Sequence, residues 1–159
     1  MSRGRSLGIL LLCLAACFGA AAVGGLGMAA GPGDWYRGLA KPSWTPPDAV
    51  FGPVWTVLYA LMAVAAWRVW TRHGFAPARL PLSVFFAHLG INAAWTLLFF
   101  GMRSPGLALA DILVLWILIV LLVRLFWSRS RLASLLLVPY LLWVTFAAVL
   151  NAAIYGMNR

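Results

Sequence analysis

The chain alternates long apolar runs with short polar breaks. Runs of about 20 residues or more, the length a helix needs to cross roughly 30 Å of hydrocarbon, predict five helices at 7–29, 49–70, 82–101, 106–127 and 132–155. The runs are continuous and lack period-two alternation, which argues against a β-barrel. The expected architecture is an all-α integral membrane protein, a five-transmembrane-helix bundle, with residues 1–159 forming one domain and no length left for a soluble one.

The breaks carry local signals. Ser104 followed by Pro105 predicts an N-cap with proline at the first helical position, and Pro46-Pro47-Asp48 sets an acid at the positive end of the second helix. Pro139 is expected to loosen or kink the last helix. The break at 31–48 is longer and different in kind: Trp35-Tyr36-Arg37-Gly38-Leu39-Ala40-Lys41-Pro42-Ser43-Trp44-Thr45-Pro46-Pro47. Proline fixes φ and removes donors, while Trp and Tyr favour the boundary between hydrocarbon and water. This segment predicts a stiff aromatic lid with no helix or sheet of its own.

Composition agrees with the pattern: 64% of residues are hydrophobic and 9% charged, too little polar surface to clothe a soluble globule. The net charge of +9 could suggest nucleic acid, but the basic residues are spread among the loops instead of forming a stripe. Arg3, Arg5, Arg68, Arg72, Arg79, Arg124, Arg129 and Arg131 fall on the amino-terminal side, against Arg37, Lys41, Arg103 and Arg159 opposite. Such a bias predicts a cytoplasmic amino terminus in a bacterial cell membrane, with the lid facing outward and no nucleic-acid partner. Arg3, Arg5 and Leu14-Ala15-Ala16-Cys17 also resemble a lipoprotein signal peptide. The apolar residues continue to Ala30, longer than the usual signal core, so the segment is read as a span. Cys13 and Cys17, four apart, are expected to be buried unreactive thiols.

No familiar catalytic constellation is present. There is no Glu; the acids are Asp34, Asp48 and Asp111, and the histidines His73 and His88. This predicts no metal site, no axial pair for a haem and no required cofactor. His73 is expected to be solvent-exposed, and His88 to be a hydrogen-bonded interior residue.

Polar and aromatic residues do recur at helical spacing inside the runs. His88, Asn92, Trp95 and Phe99 share one face; so do Phe51, Trp55 and Tyr59, and Tyr140, Trp143, Ala147, Leu150 and Asn151. Asp111 in the fourth run is costly unless it faces the bundle or a wet cavity. Singly, each of these residues is accounted for by helix packing. Together with the aromatic lid, they predict a pocket for a flat, largely apolar molecule with a few polar edges, a description that fits tetrapyrroles and sterols.

Several motifs then carry a resemblance: Trp35-Tyr36, Lys41-Pro42-Ser43-Trp44-Thr45-Pro46-Pro47, Trp55-x-x-x-Tyr59, Asn92-x-x-Trp95, Phe99-Phe100-Gly101, Ala110-Asp111, and Pro139-Tyr140-x-x-Trp143 with Leu150-Asn151. In this order and over nearly the whole chain, they resemble the TspO/MBR family, the tryptophan-rich sensory or translocator proteins. The resemblance implies a bundle that binds porphyrins, and in some relatives cholesterol and benzodiazepine-type drugs, beneath the first loop. By position it implies that Phe51, Gly52, Val54, Trp55, Asn92, Trp95, Asp111, Val114, Trp143, Ala147 and Leu150 line or border the site. Trp35, Trp44 and Tyr59 join them from the lid and the second stripe. Trp55 and Trp143 match the tryptophans linked in bacterial relatives to light-dependent porphyrin breakdown, so they are catalytic candidates if such a reaction occurs. Leu107 and Gly25 stand where relatives can carry larger residues. Family members often pair, and Gly90 with Ala94 offers a small-xxx-small step for a homodimer.

Three functions follow as expectations. A porphyrin-binding sensor, carrier or transporter is favoured, because the residues supply stacking groups and no acid–base pair. A light-dependent porphyrin-degrading enzyme is the alternative. A small proton-coupled exporter using Asp111 is the third. Membrane lipid is the expected surrounding partner.

Overall fold

The computed structural model describes residues 2–29 and 33–159; Ala30 and positions 31 and 32 of the lid range lie outside the described residues. Among the described residues six α-helices follow in order: α1 Arg3–Ala29, α2 Gly33–Gly38, α3 Asp48–His73, α4 Arg79–Thr96, α5 Pro105–Trp127 and α6 Arg131–Met157. A π-helical turn, Leu97–Gly101, prolongs α4. Five of these segments are long and apolar enough to cross a membrane. Each predicted span is present, begun one to four residues earlier than its apolar run, because polar first-turn residues, or Pro105 in the fourth span, extend the helix without joining the hydrocarbon pattern.

The ends obey their local chemistry. Ser104 accepts from the Leu107 amide at 3.4 Å, with Pro105 at the first helical position. Ser130 does the same for α6 through Ala133. Pro139 does not break α6, which runs unbroken from Arg131 to Met157. His73 departs from expectation: it is half-buried, and its Nε2 lies 2.9 Å from the Arg129 carbonyl oxygen, tying the end of α3 to the α5–α6 turn.

Side-by-side packing closes the long helices into a ring in the order α1, α3, α6, α5, α4. The half of the ring nearer the amino terminus is solid. Ala63, Ala65 and Ala66 of α3 are fully buried and let neighbours approach, while Met62, Phe85, Leu122, Phe126 and Leu137 fill the space between. Cys13 and Cys17 belong to this core as free thiols. Toward the lid the buried set shrinks to Phe99, Ala108, Leu150 and Ile154, with partly buried rings around it. The ring is therefore filled at one end and hollow at the other.

The lid is not helix-free. Its first described part is the short α2, and a turn follows in which the Thr45 amide and hydroxyl both donate to the Pro42 carbonyl. The prolines stiffen only the second half, so Gly33 to Gly38 is free to coil and lay Trp35 and Tyr36 on Phe99 and Phe100. Lys41 donates to the Tyr36 carbonyl and lies 4.3 Å from the centre of its ring. Asn158, just past α6, latches the lid: Ala40 N–H donates to its Oδ1 and its Nδ2 donates to the Ala40 carbonyl, each at 2.9 Å. Asn158→Ala is expected to speed trypsin cleavage at the Arg37–Gly38 bond severalfold, read from digestion time courses. An unchanged rate would show that aromatic packing alone holds the lid.

Candidate functional site

The hollow half of the ring encloses a cavity of about 660 Å³. From α1 it is lined by Phe18, Ala21, Gly24, Gly25 and Met28; from α3 by Asp48, Phe51, Gly52, Trp55, Thr56 and Tyr59. The α4 helix and its π turn supply Asn92, Trp95, Thr96, Phe99 and Phe100, and α5 supplies Ile112 and Leu115. The α6 wall is Trp143, Val144, Ala147, Leu150, Asn151 and Ile154, and α2 closes the lid end with Gly33, Tyr36 and Arg37. Its charged lining residues, Arg37 and Asp48, both belong to the lid end; the depth is aromatic and aliphatic with neutral polar groups.

The aromatic wall is made of three groups of rings. Trp55 lies 5.6 Å from Tyr59 and 6.2 Å from Tyr140, and Trp143 lies 5.8 Å from Phe51. Across the cavity Trp95 stacks on Phe99 at 5.2 Å and 26°. A wider π turn carries more residues per turn than an α-helix, which brings both Phe99 and Phe100 to the cavity side.

The polar groups are held from behind. Tyr59 donates to Asn92 Oδ1 at 2.5 Å, and Asn92 Nδ2 donates to the Tyr140 hydroxyl at 2.9 Å, linking α3, α4 and α6. Trp95 Nε1 donates to Asn151 Oδ1 at 3.0 Å, and Asn151 Nδ2 donates to the Pro105 carbonyl at 2.8 Å. Asn92 and Asn151 therefore join helices and face the cavity at once, so packing and binding are not rival readings of them. His88, fully buried behind this layer, bonds the Phe85 carbonyl through Nδ1, the interior role expected of it. Asn92→Ala would strand two phenols and is expected to cost about 1–2 kcal/mol. Thermal unfolding in detergent reads this directly, and an unshifted midpoint would remove the network from the stability account.

Burial, and secondarily the Asp48 carboxylate, raise the Tyr36 pKa above its ordinary value, so the hydroxyl at the lid end stays neutral.

The structure brings Phe51, Gly52, Trp55, Tyr59, Asn92, Trp95, Trp143, Ala147 and Leu150 to the cavity. Five expected residues lie elsewhere. Trp35 packs edge-on against Phe99 at 5.9 Å, behind the lining, because α2 turns Tyr36 inward in its place. Trp44 is 47% exposed and rests on Phe146 at 5.8 Å. Val54 faces an outer groove. Asp111 and Val114 lie off the cavity wall on α5; Val114 is 49% exposed, and Asp111 is half-buried with its Oδ2 unpartnered. Of the pair marked for close approach, Gly90 is exposed, with open space where a Cβ would stand, and Ala94 is half-buried.

Residues 11–156 match the profile of the TspO/MBR family. The chain belongs to the TspO/MBR family. It is 44% identical over 124 residues to the tryptophan-rich protein TspO of Archaeoglobus fulgidus, covering 78% of this chain and 80% of that one. It is 42% identical over 154 residues to the tryptophan-rich protein TspO of Chlorobaculum tepidum, covering 94% and 95%. The human translocator protein is 39% identical over 127 residues, covering 79% of this chain and 75% of its own. Five span-length helices together with this membership make it a multi-pass integral membrane protein of the TspO/MBR family.

Apart from Gly25, which the resemblance had marked, sequence reasoning missed the α1 contribution to this TspO/MBR cavity. Phe18, Ala21, Gly25 and Met28 recur at helical spacing, so a signal existed, but small residues carry no chemistry that marks a wall. Phe100 was beyond periodicity, because the π turn changes the period at the point where it matters.

Proposed function

We propose that this TspO/MBR protein binds a porphyrin or a similar planar, hydrophobic molecule in the α1–α3–α4–α5–α6 cavity and acts as a sensor, carrier or transporter of it. The observation that supports this reading is the cavity itself: about 660 Å³, within the size range of small-molecule sites, walled by indole and phenyl rings and free of charge in its depth. Neutral Asn92 and Asn151 supply polar edges for orientation. A sterol-like guest fits the same description, and no bound cofactor is needed for either.

Titration of the purified protein with protoporphyrin in the dark, followed by tryptophan quenching, tests the proposal. Saturable quenching that Ala147→Phe weakens at least tenfold is expected, since that ring would occupy the cavity. Non-saturable quenching, or equal affinity in the filled variant, would place the guest elsewhere.

A second reading has its own support: Trp55 and Trp143 both line the cavity, where indole can donate an electron to a photoexcited porphyrin. Illumination of the loaded protein would then bleach the porphyrin spectrum in a manner lost in Trp55→Phe and Trp143→Phe while binding persists. The exporter reading gains no comparable support, because Asp111 lies off the wall. We place the amino terminus in the cytoplasm of a bacterial cell on the distribution of Arg and Lys among the loops. A homodimer through the outward Gly90 and Ala94 surface completes the proposal, with cross-linking in native membranes as its test.

A further inference from the structure

A second hollow of about 610 Å³ lies on the bilayer side of the α3–α6 seam. Val54 and Val57 of α3 and Leu142, Trp143 and Phe146 of α6 form most of its wall, and no charged side chain lines it. Trp143 lines both this groove and the inner cavity, so its indole stands at the boundary between them.

The local chemistry leaves this partition without a polar lock. Trp67, Trp95 and Trp116 are each pinned through Nε1, to Ser6, Asn151 and Thr145. Trp143 Nε1 is buried with no partner, and the ring is held by packing alone, with Phe51 at 5.8 Å and Phe146 at 5.6 Å as its aromatic neighbours. Turning it breaks no hydrogen bond. The helices on either side are also softened: Pro53 and Pro139 both line the groove, and each leaves the carbonyl four residues earlier without its helical donor. The lid, by contrast, is latched through Ala40 and Asn158 and through Lys41 on Tyr36.

We propose that the α3–α6 groove is a lateral port through which the planar apolar guest of the cavity exchanges with the acyl-chain region, with Trp143 as its door. The port rests on the binding reading above. A guest that partitions into the bilayer reaches the cavity without crossing the charged lid end, and the uncharged groove is its vestibule.

A port governs rates and not equilibrium, because closing it slows passage equally in both directions. Val57 and Leu142 are groove-wall positions, 58% and 66% exposed, that do not line the cavity. Protein in lipid nanodiscs is mixed with protoporphyrin, and association and dissociation are followed by porphyrin emission for wild type, Val57→Trp, Leu142→Trp and Asn158→Ala. Both groove variants are expected to lower both rate constants tenfold or more with Kd within twofold, while the lid variant stays within twofold in all three. Groove variants exchanging at wild-type rates, or a tenfold acceleration in Asn158→Ala, would overturn the port in favour of the lid. A tenfold change in Kd carried by dissociation alone would make the groove part of the binding site and overturn it as well. Wild-type protein that takes up no protoporphyrin would remove the binding reading and the port with it, an outcome distinct from binding at unaltered rates.

Discussion

Trp55→Ala is expected to weaken protoporphyrin binding by about 2 kcal/mol, roughly 30-fold in Kd. Trp55 stands in the cavity wall between Tyr59 and Tyr140, at ring distances of 5.6 and 6.2 Å, so its own position is fixed by two rings that are themselves tied to Asn92. Truncation removes a large flat surface from the place where a flat guest would lie. It leaves the Tyr59–Asn92–Tyr140 bonds in place, so the loss reads binding and not collapse of the bundle. Trp44→Ala supplies the contrast, because Trp44 rests on Phe146 outside the cavity and is 47% exposed. Its affinity should stay within about twofold to threefold of wild type, the range expected for a residue outside the site. Equal losses in the two variants, measured by equilibrium titration, would sink the assignment of the cavity as the site.

The fold was legible because the membrane imposes one rule on backbone groups, and helices satisfy it internally. Five apolar runs gave five spans, and the Ser104-Pro105 cap marked the start of α5 to the residue. The lid was harder. Its prolines lie from Pro42 onward, and Gly33–Gly38 coils ahead of them; tertiary contact with Phe99 and Phe100 stabilises this turn, which no local spacing announces. His73 was misjudged for the same reason, since its partner is a carbonyl 56 residues away.

Within the site, faces were legible and depth was not. The stripes on α3, α4 and α6 placed Phe51, Trp55, Tyr59, Asn92, Trp95, Trp143, Ala147 and Leu150 together, because one helix face can meet only one hollow. Val54 shares a turn with Phe51 and Trp55 yet points to the outer groove, and Asp111 falls beside the α5 wall residues Ile112 and Leu115 without joining them. Such differences are set by the rotation of a whole helix, which the ring packing decides. The resemblance by position shared this limit, because it carried residues and not their rotation.

Gly27→Val is the substitution expected to disturb the bundle most. A Cβ at Gly27 would lie 2.8 Å from the Thr96 carbonyl oxygen, 3.1 Å from its carbon and 3.2 Å from Leu97 Cα. All three are backbone atoms, so no flexible side chain can swing aside and α1 must move off α4. Gly24, one turn away, approaches the same residue less closely, with the Thr96 side-chain Oγ1 at 3.3 Å. Overpacking of this kind typically costs about 1–3 kcal/mol. Because Gly24 and Thr96 also line the cavity, displacement of α1 should open its wall and lower ligand affinity in the same variant. Gly19→Val is the matched control: it lies on the same helix with nothing within 4 Å of the added carbon. Thermal unfolding in detergent should show Gly27→Val melting several degrees below wild type and Gly19→Val close to it. If the two variants melted together, the close α1–α4 approach would not be what holds the first helix in the ring.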